Sequence, residues 1–366
     1  MNMKGDSRAK LLIYLLSLVG GAGKAAVQYA NVLANDGARV VIVTSRADPA
    51  LLERLDERIE LRIMGVKRSL LAVGHLRRGL REVQPDMLFA IGVGNVLALQ
   101  LAMKAVRYGP PLVVRETNSP EGLLASYGPI KRAAKAVAIR SAYRTAKHII
   151  VLTRSMEAEL RHDWNVPAEK LSYVPNGVVL PQEAPERRTA NPAVILSVGR
   201  LVPQKDHETL LHAFAQVRRT HECRLVLAGD GRERIRLERA ASTLGIQQYV
   251  TFLGRVADVS LLYQQARLTV LSSRYEGFPN VLIEALAHGC PVVATDCPTG
   301  PSEVITNSKV GLLAEVGNIE DLARRMREAL EQGYHPEALR ARVEEFSVDA
   351  LNQKISRLFK LLVSAN

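Results

Sequence analysis

Two glutamates in the second half of the sequence have a spacing that suits a ligand with a diphosphate and sugar hydroxyls. Glu276 and Glu284 lie eight residues apart in SSRYEGFPNVLIEA, residues 272–285. A carboxylate only accepts hydrogen bonds, so Glu284 can take two from the hydroxyls of a ribose, and Glu276 can hold other sugar hydroxyls. Asn280 is a predicted helix N-cap, and the backbone amides of residues 278–281 then face the diphosphate.

A pair of cations lies upstream of these acids. Arg200 and Lys205 follow a predicted strand and directly precede Asp206, which is a predicted N-cap. Two positive charges and a helix end at one place can stabilise a departing diphosphate. The competing interpretation is that both residues are solvated surface charges.

A glycine-rich turn, GGAGK at residues 20–24, follows the first predicted strand and precedes a helix expected from about Ala25. Glycine lets backbone amides approach a phosphate, and the helix N-terminus adds partial positive charge. A Walker A loop is disfavoured, because Leu18 and Ala25 occupy its glycine and Ser/Thr positions. The pattern GxGxxA from Gly21 fits a dinucleotide fingerprint, although the second strand ends without an acid for a ribose. A tight turn with close helix packing is the third interpretation.

Strand-length apolar runs alternate with helical patterns along both halves, which predicts parallel sheets with crossover helices. Continuous Val/Ile/Leu runs indicate strands that are buried on both faces. Ligands of such sheets bind at the carboxyl ends of the strands, so the chemistry is expected there. The predicted strands are residues 11–16, 39–44, 87–91, 112–114 and 148–152, then 194–198, 224–228, 250–253, 268–271, 291–294 and 310–313.

The 366 residues are expected to form two domains. Between the halves, PQEAPERRTANP at residues 181–192 combines prolines, mixed charges and no apolar period, which predicts a linker. Near the other end, apolar residues recur from Leu351 to Leu362 after a Ser/Asp start. Residues 347–363 are therefore predicted to form one terminal helix.

Composition narrows the class of protein. The chain has 47% apolar and 23% charged residues, which is typical of a globular protein. Its three cysteines have no CxxC spacing, and there is no Asp-x-Asp or other ligand cluster, so neither a disulfide framework nor a metal site is predicted. No secretory signal or transmembrane helix is expected, and a reducing cytoplasmic location is the simplest expectation.

The positive charge is concentrated in the first half. Residues 1–175 hold 26 basic and 15 acidic residues, whereas the remainder holds 23 and 22, which together give the net +12. One predicted helix contributes bases three to four residues apart, as a membrane-surface helix would, and an ordinary solvated helix is the alternative. Nucleic-acid binding is disfavoured, because aromatic residues make up only 5% and no RNA or DNA module is visible. The helix bases are Lys131, Arg132, Lys135, Arg140, Arg144 and Lys147.

These motifs together resemble those of the retaining nucleotide-sugar glycosyltransferases of family 4, or group 1, over nearly the whole chain. The resemblance implies the α/β fold called GT-B, in which two Rossmann-like, doubly wound parallel-sheet domains face each other across a cleft. Residues 1–175 would bind the acceptor, residues 176–346 would bind the nucleotide sugar, and a closing helix at 347–366 would return to the first domain. The motifs are the paired-glutamate segment with AxxxGxPVVAT after it, Gly20-Gly21, VPNGV (174–178), SVGRLVPQKD (197–206) and LAGDG (227–231).

The same resemblance implies a reaction. A hexose or N-acetylhexosamine would move from a nucleotide diphosphate sugar, with UDP as the expected carrier, to an acceptor hydroxyl with retention of configuration. The acceptor would be a lipid-linked glycan or a surface polysaccharide precursor, which favours peripheral contact with an anionic inner membrane face. No cofactor or metal is expected. The expected catalytic residues are Arg200, Lys205, Glu276 and Glu116, and the expected donor-binding residues are Gly20, Gly21, Gly229, Gly277, Phe278, Pro279, Asn280, Val281 and Glu284.

One position departs from the family pattern. Members often carry a histidine after the fourth strand of the first domain, where this chain reads VRETN, residues 114–118. Arg115, Glu116 and Asn118 are the candidates to face the cleft instead. We expect Glu116 to orient a polar group there, and a capping or salt-bridged role is the alternative.

Two other functions stay open at this point. An NAD(P)-dependent oxidoreductase would use the turn from Gly21 to Gly23. A binding or regulatory protein would keep the fold without turnover.

Overall fold

The computed structural model describes residues 8–182 and 190–364, so the opening seven residues and residues 183–189 of the predicted linker lie outside its description. The chain divides into two units, each built on one sheet. The first unit runs up to Asn176 and resumes at Asp349, and the second is the chain between them.

The described residues of the first unit form a seven-stranded sheet in which every neighbouring pair is parallel. Its strands are β1 (Lys10–Tyr14), β2 (Arg39–Thr44), β3 (Glu60–Ile63), β4 (Met87–Ile91), β5 (Leu112–Arg115), β6 (His148–Val151) and β7 (Leu171–Tyr173). They lie side by side in the order β3-β2-β1-β4-β5-β6-β7. All residues of β4 are buried, because a central parallel strand is covered on both faces.

Helices connect these strands. They are α1 (Gly20–Asn35), α2 (Pro49–Leu52), α3 (Val73–Val83), α4 (Val96–Val106), α5 (Pro120–Ala125), α6 (Pro129–Thr145) and α7 (Arg154–His162), with a 3-10 helix at Ser69–Ala72 before α3. The prediction that α1 starts near Ala25 was wrong, since it begins at Gly20. A Cβ on Gly23 would lie 2.7 Å from the carbonyl carbon of Leu18, so this glycine permits close packing in the first turns of α1.

The second unit has a six-stranded sheet among its described residues, again parallel throughout, in the order β10-β9-β8-β11-β12-β13. The strands are β8 (Ala193–Val198), β9 (Cys223–Ala228), β10 (Val250–Gly254), β11 (Leu268–Leu271), β12 (Val292–Thr295) and β13 (Gly311–Ala314). The helices are α8 (His207–Val217), α9 (Arg234–Thr243), α10 (Ser260–Gln265), α11 (Asn280–Ala287), α12 (Pro301–Val304), α13 (Ile319–Glu331) and α14 (Pro336–Val343). The predicted α/β architecture with two doubly wound parallel sheets is confirmed.

The last helix of the described chain, α15 (Val348–Ser364), belongs to the core of the first unit. Ile355 and Phe359 are buried there. The Phe359 ring lies 5.4 Å from the ring of Phe89 and 6.0 Å from that of Tyr29, both in edge-on contacts. Residues far apart in sequence thus complete one core.

The segments that enter and leave the second unit are paired. The Val178 amide donates to the carbonyl of Phe346 at 2.8 Å, and the Val348 amide donates to the carbonyl of Val178 at 3.0 Å. In the described part of the chain, no helix combines the length and apolar content that a bilayer crossing requires.

Candidate active site

The segments that follow β8 and β11, which are neighbours in the second sheet, are joined by several hydrogen bonds. The Gln204 amide side chain donates to the carbonyl of Tyr275 at 2.9 Å, and the Arg274 amide donates to the carbonyl of Gln204 at 2.8 Å. The Ser272 hydroxyl donates to the carbonyl of Lys205 at 2.9 Å. The segment carrying the predicted cations is therefore fixed to the segment carrying the predicted acids.

Lys205 and Glu276 are brought into direct contact. The Lys205 Nζ lies 2.5 Å from Glu276 Oε1, and their side chains are only 15% and 7% exposed. The Ser273 hydroxyl donates to the same oxygen at 2.5 Å. A charge-assisted pair at this burial holds both groups in one geometry, and a polar ligand at this place would meet an ordered cation and acid.

Asp206 fixes the turn between these cations and α8. Its backbone is left-handed, with φ at 46°, and its carboxylate accepts hydrogen bonds from the Thr209 hydroxyl and from Arg274 Nε, each at 3.0 Å. Asp206 is the N-cap residue, as predicted, although its side chain caps no backbone amide. Arg200 lies before this turn with its side chain exposed. Burial, together with the charge of Lys205, lowers the pKa of His207 to about 4, so this imidazole is neutral at pH 7.

Helix α11 starts one residue earlier than the cap prediction requires. Pro279 is the N-cap and Asn280 is the first helical residue, so the prediction of Asn280 as N-cap was wrong. Phe278 precedes the helix and is 6% exposed. The Thr299 hydroxyl lies 3.1 Å from the carbonyl of Glu276 and 3.2 Å from that of Gly277, which fixes the backbone leading into the helix. The amides of Asn280 and Leu282 donate to the carbonyls of Phe278 at 3.0 Å and Pro279 at 2.9 Å. The amino end of α11, which includes Val281, still carries the partial positive charge that suits an anion.

Glu284 lies within α11 and is held from beneath by a buried tyrosine. The Tyr263 hydroxyl donates to Glu284 Oε2 at 3.1 Å. Burial, and then the charge of Glu284, raises the pKa of Tyr263 well above its usual value, so the phenol stays a donor. His288 stacks on the Tyr263 ring at 5.7 Å, and its Nδ1 donates to the Glu284 carbonyl at 2.8 Å.

Close packing explains why glycine occupies position 229. Its φ is 151°, and a Cβ there would lie 1.8 Å from the carbonyl oxygen of Gly199. A Cβ on Gly231 would likewise lie 2.2 Å from the carbonyl oxygen of Leu201. The segment after β9 therefore approaches the segment after β8 closely enough to require glycine at both positions.

Two residues that the motifs did not indicate support this site from behind. The Phe346 ring packs edge-on against Phe278 at 5.5 Å. Arg342 of α14 lies over Phe346, and it donates to the carbonyl of Val304 at 3.0 Å and to that of Glu303. Their sequence surroundings carry no recognisable signal, and only the fold brings them to this place.

The site residues predicted in the first unit lie in α1 and after β5. Gly20 and Gly21 are exposed in the first turn of α1. Glu116 follows β5 and is 2% exposed, with the Tyr143 hydroxyl donating to its Oε1 at 2.6 Å. Burial raises the pKa of Glu116 to about 7, although the Tyr143 hydrogen bond opposes the shift. Its catalytic role stays a prediction.

Arg115, the other candidate at this strand end, is also buried, at 1% exposure. It donates to Asn176 Oδ1 and, at 3.3 Å, to the carbonyl of Glu116. Its guanidinium lies over the Tyr29 ring at 5.5 Å. The end of β5 thus carries a buried polar cluster rather than an exposed histidine. Asn118 is partly buried beside it.

Two family models cover both units. The model called Glycosyltransferase Family 4 matches residues 19–181, and the model called Glycosyl transferases group 1 matches residues 181–346. With two parallel-sheet Rossmann-like units on either side of this division, the chain belongs to the group 1 and family 4 glycosyltransferases, and its fold is GT-B. Neither model supports the oxidoreductase alternative.

Several characterised proteins are similar to this chain. The exopolysaccharide phosphotransferase of Streptomyces coelicolor is 29% identical over 297 residues, which are 79% of this chain but 30% of that protein. A Campylobacter jejuni enzyme, N-acetylgalactosamine-N,N'-diacetylbacillosaminyl-diphospho-undecaprenol 4-alpha-N-acetylgalactosaminyltransferase, is 30% identical over 192 residues, 52% of each chain. The crystal structure of Anabaena HepE in complex with UDP-glucose has a TM-score of 0.79 at 21% identity and covers 96% of this chain and 99% of that one.

Proposed function

We propose that this chain transfers a hexose or N-acetylhexosamine from a UDP-sugar to an acceptor hydroxyl with retention of configuration. The single observation that carries the proposal is the ordered Lys205–Glu276 pair at the joined ends of β8 and β11, directly before the amino end of α11. A cation, an acid and the positive end of a helix at one place suit a diphosphate linked to a sugar. The likeness to HepE, which is named as a UDP-glucose complex, supports the choice of UDP.

Each proposed role follows from the chemistry of the group. Arg200 and Lys205 neutralise the leaving diphosphate, together with the amides that follow Phe278, and no metal is needed. Glu276 accepts hydrogen bonds from the transferred sugar, and Glu284 accepts them from the ribose. The second unit binds the donor in this proposal, and the first unit binds the acceptor.

The proposed transfer needs no protein nucleophile. The bond between the anomeric carbon and the diphosphate oxygen breaks, and the acceptor oxygen bonds to that carbon on the same face. The departing phosphate oxygen takes the acceptor's proton. The protein contributes positioning and electrostatic stabilisation.

The acceptor is proposed to be a lipid-linked glycan or surface polysaccharide precursor. Support comes from the two relatives, whose names refer to an exopolysaccharide and to a diphospho-undecaprenol substrate. Exposed bases on α6, among them Lys131 and Lys135, are proposed to contact the anionic membrane that carries such an acceptor.

Arg200→Ala and Lys205→Ala test the phosphate assignment. Each is expected to lower turnover about 100-fold or more, the scale of losing one transition-state donor. Mass-spectrometric screening of nucleotide sugars against membrane extracts would first identify a substrate pair, and initial rates would then be compared. Arg239→Ala, which removes an exposed arginine on α9, is the matched control and should retain full turnover. Normal rates in both site variants would refute the assignment, and a wild type without transfer or donor hydrolysis would point to a binding protein.

Glu284→Gln tests the ribose assignment. The carboxylate accepts hydrogen bonds from ribose hydroxyls in the proposal, so its loss should weaken UDP binding by roughly tenfold, the value of one hydrogen bond to a charged group. Titration calorimetry with UDP measures this directly, and NADP added in parallel should give no heat of binding. Equal UDP affinity in variant and wild type would remove Glu284 from the donor site.

A further inference from the structure

Six large apolar side chains are exposed on three elements of the first unit. The elements are the 3-10 helix at Ser69–Ala72, α4 and α6. We call the set the apolar surface. Its members, with their exposed fractions, are Leu70 (55%), Leu71 (62%), Leu97 (41%), Leu101 (41%), Ile130 (86%) and Val137 (66%).

These elements are neighbours on one face of the sheet. The 3-10 helix packs against α4. The Gln100 side chain of α4 donates to the Thr145 hydroxyl of α6 at 2.7 Å and to the Ser141 carbonyl at 3.2 Å. The crossovers from β4 to β5 and from β5 to β6 advance in the same direction, and right-handed crossovers then place α4 and α6 on the same side. The exposed side chains therefore belong to neighbouring elements on the same side of the sheet.

The first half of α6 shows a helical apolar stripe. Ile130, Ala133, Ala134 and Val137 follow the i, i+3, i+4, i+7 spacing and are all exposed. A surface helix normally turns such a stripe toward the core. Core contact in α6 instead comes from its second half, where Ile139, Ala142 and Tyr143 are buried.

The charges around this surface are mostly positive, and the acid Glu121 is paired with Arg132 of α6 at 3.1 Å. Neither α4 nor α6 contains an acidic residue, while Lys131 and Lys135 flank the α6 stripe and Lys67 and Arg68 precede the 3-10 helix. An occupant must therefore be apolar in its interior and anionic at its edge. A second copy of the chain would bring two basic rims together, which like-charge repulsion opposes. A nucleic acid would match the charges but would leave the leucines in water.

We infer that the apolar surface inserts into the headgroup and acyl boundary of an anionic bilayer, while the surrounding bases bind the headgroups. The inference rests on the proposed membrane contact of α6 and names the side chains that enter the bilayer. It is independent of the donor sugar. Insertion predicts two components of binding, an electrostatic one that salt screens and an apolar one that salt leaves intact.

Vesicle flotation separates these components. The probes are vesicles of phosphatidylcholine alone and vesicles containing phosphatidylglycerol, at low salt and at about 1 M salt, where the Debye length is about 3 Å. Wild type should float with the anionic vesicles at low salt and retain a measurable fraction at high salt. In the double variants Leu70→Ser/Leu71→Ser and Ile130→Ser/Val137→Ser, the salt-resistant binding should fall roughly tenfold while the salt-sensitive binding is kept. In Lys131→Ser/Lys135→Ser, the salt-sensitive binding should fall while the salt-resistant binding is kept.

Two exposed apolar residues on other elements provide matched controls. Leu361 of α15 is 70% exposed and Ile235 of α9 is 63% exposed, and serine at either position should leave flotation unchanged. If the apolar double variants floated like wild type, the insertion of the apolar surface would be refuted, but the electrostatic contact of α6 with the membrane would not. Absence of wild-type flotation would overturn both, and a wild-type dimer that the variants convert to monomer would identify a self-association surface instead. UDP titration of the same samples reports on the donor site separately.

Discussion

At the scale of single residues, the end of β5 holds a carboxyl group in an unusual state. Glu116 is buried under Tyr143, and its pKa is raised to about 7 because burial penalises the charged form. In the folded chain this group therefore keeps its proton up to about pH 7, and its ionisation above that pH changes the stability of the folded state.

Glu116→Gln should change how stability depends on pH. The folded chain holds more protons than the unfolded chain between the ordinary pKa of 4.5 and the raised value of about 7, so wild-type stability falls as pH rises through this window. The ionisation of Glu116 lowers the free energy of unfolding by at most about 3 kcal/mol across this window. A neutral glutamine does not ionise, so the variant should not lose this stability as pH rises. Urea denaturation should therefore show that the free energy of unfolding of the variant, relative to wild type, is higher at pH 8 than at pH 5.

The control for this experiment is Glu121→Gln, which changes a partly exposed carboxylate that pairs with Arg132 on the surface. It should follow the wild-type pH profile. If Glu116→Gln also followed that profile, the carboxyl group would be ionised normally in the folded protein.

Of the features of the site, the types of its residues were the easiest to predict from the sequence. The types and spacing of Lys205, Glu276 and Glu284 pointed to one region, and Lys205 and Glu276 do meet, although 71 positions separate them. The burial of Glu116 could not be predicted from the sequence, because its exposure depends on which side chains of α6 cover it. Nothing in VRETN distinguishes a buried glutamate from an exposed one.

At the scale of elements, the segment that leads into α11 is supported by a chain of contacts to α14. Phe278 packs on Phe346, and Arg342 covers Phe346 while holding the carbonyl of Val304. The Thr299 hydroxyl in turn contacts the carbonyl of Gly277. The geometry of the α11 amino end thus depends on side chains that lie behind it.

Arg342→Met should weaken UDP binding without unfolding the second unit. Methionine keeps much of the packing on Phe346 but leaves two carbonyls without their donor, so the backbone before α11 gains freedom and UDP affinity should fall several-fold, as expected for one or two lost hydrogen bonds. Calorimetry measures the affinity, and thermal unfolding monitors the fold.

A suitable comparison is Arg325→Met on α13, where the guanidinium pairs with Asp321 and Glu328 away from this segment. UDP affinity should stay at the wild-type level there. Equal affinity in the Arg342 variant would mean that α11 is held without this contact.

Sequence patterns predicted every strand of the second sheet, including its edge strands β10 and β13, but missed both edge strands of the first sheet. β3 reads ELRI and β7 reads LSY, so neither has the continuous apolar run that marks a strand covered on both faces. Both are edge strands. The start of α1 was misplaced because glycine has a low helix propensity. Gly23 suits the first turns of α1 because a larger side chain there would meet the backbone of Leu18.

At the scale of the whole molecule, α15 ties the last part of the described chain to the first core. Phe359→Ala should lower the free energy of unfolding of the first unit by about 3 to 5 kcal/mol, the usual cost of a truncated buried phenylalanine. Hydrogen exchange should show faster exchange in β1 and β4, while β8 and β11 keep their wild-type protection.

Leu361→Ala, on the same helix but 70% exposed, provides the control and should change stability by less than about 0.5 kcal/mol. Uniformly faster exchange in both sheets after Phe359→Ala would show that the two units unfold as one.

The pairing of α15 with α1 also determines when each unit can be completed during synthesis. The ribosome delivers Tyr29 and Phe89 early, but their partner Phe359 emerges only after every strand of the second sheet has been made. The unit whose sequence begins first must therefore finish folding last. Until then its nascent core exposes aromatic surface, which makes it a natural client for chaperones that bind chains still attached to the ribosome.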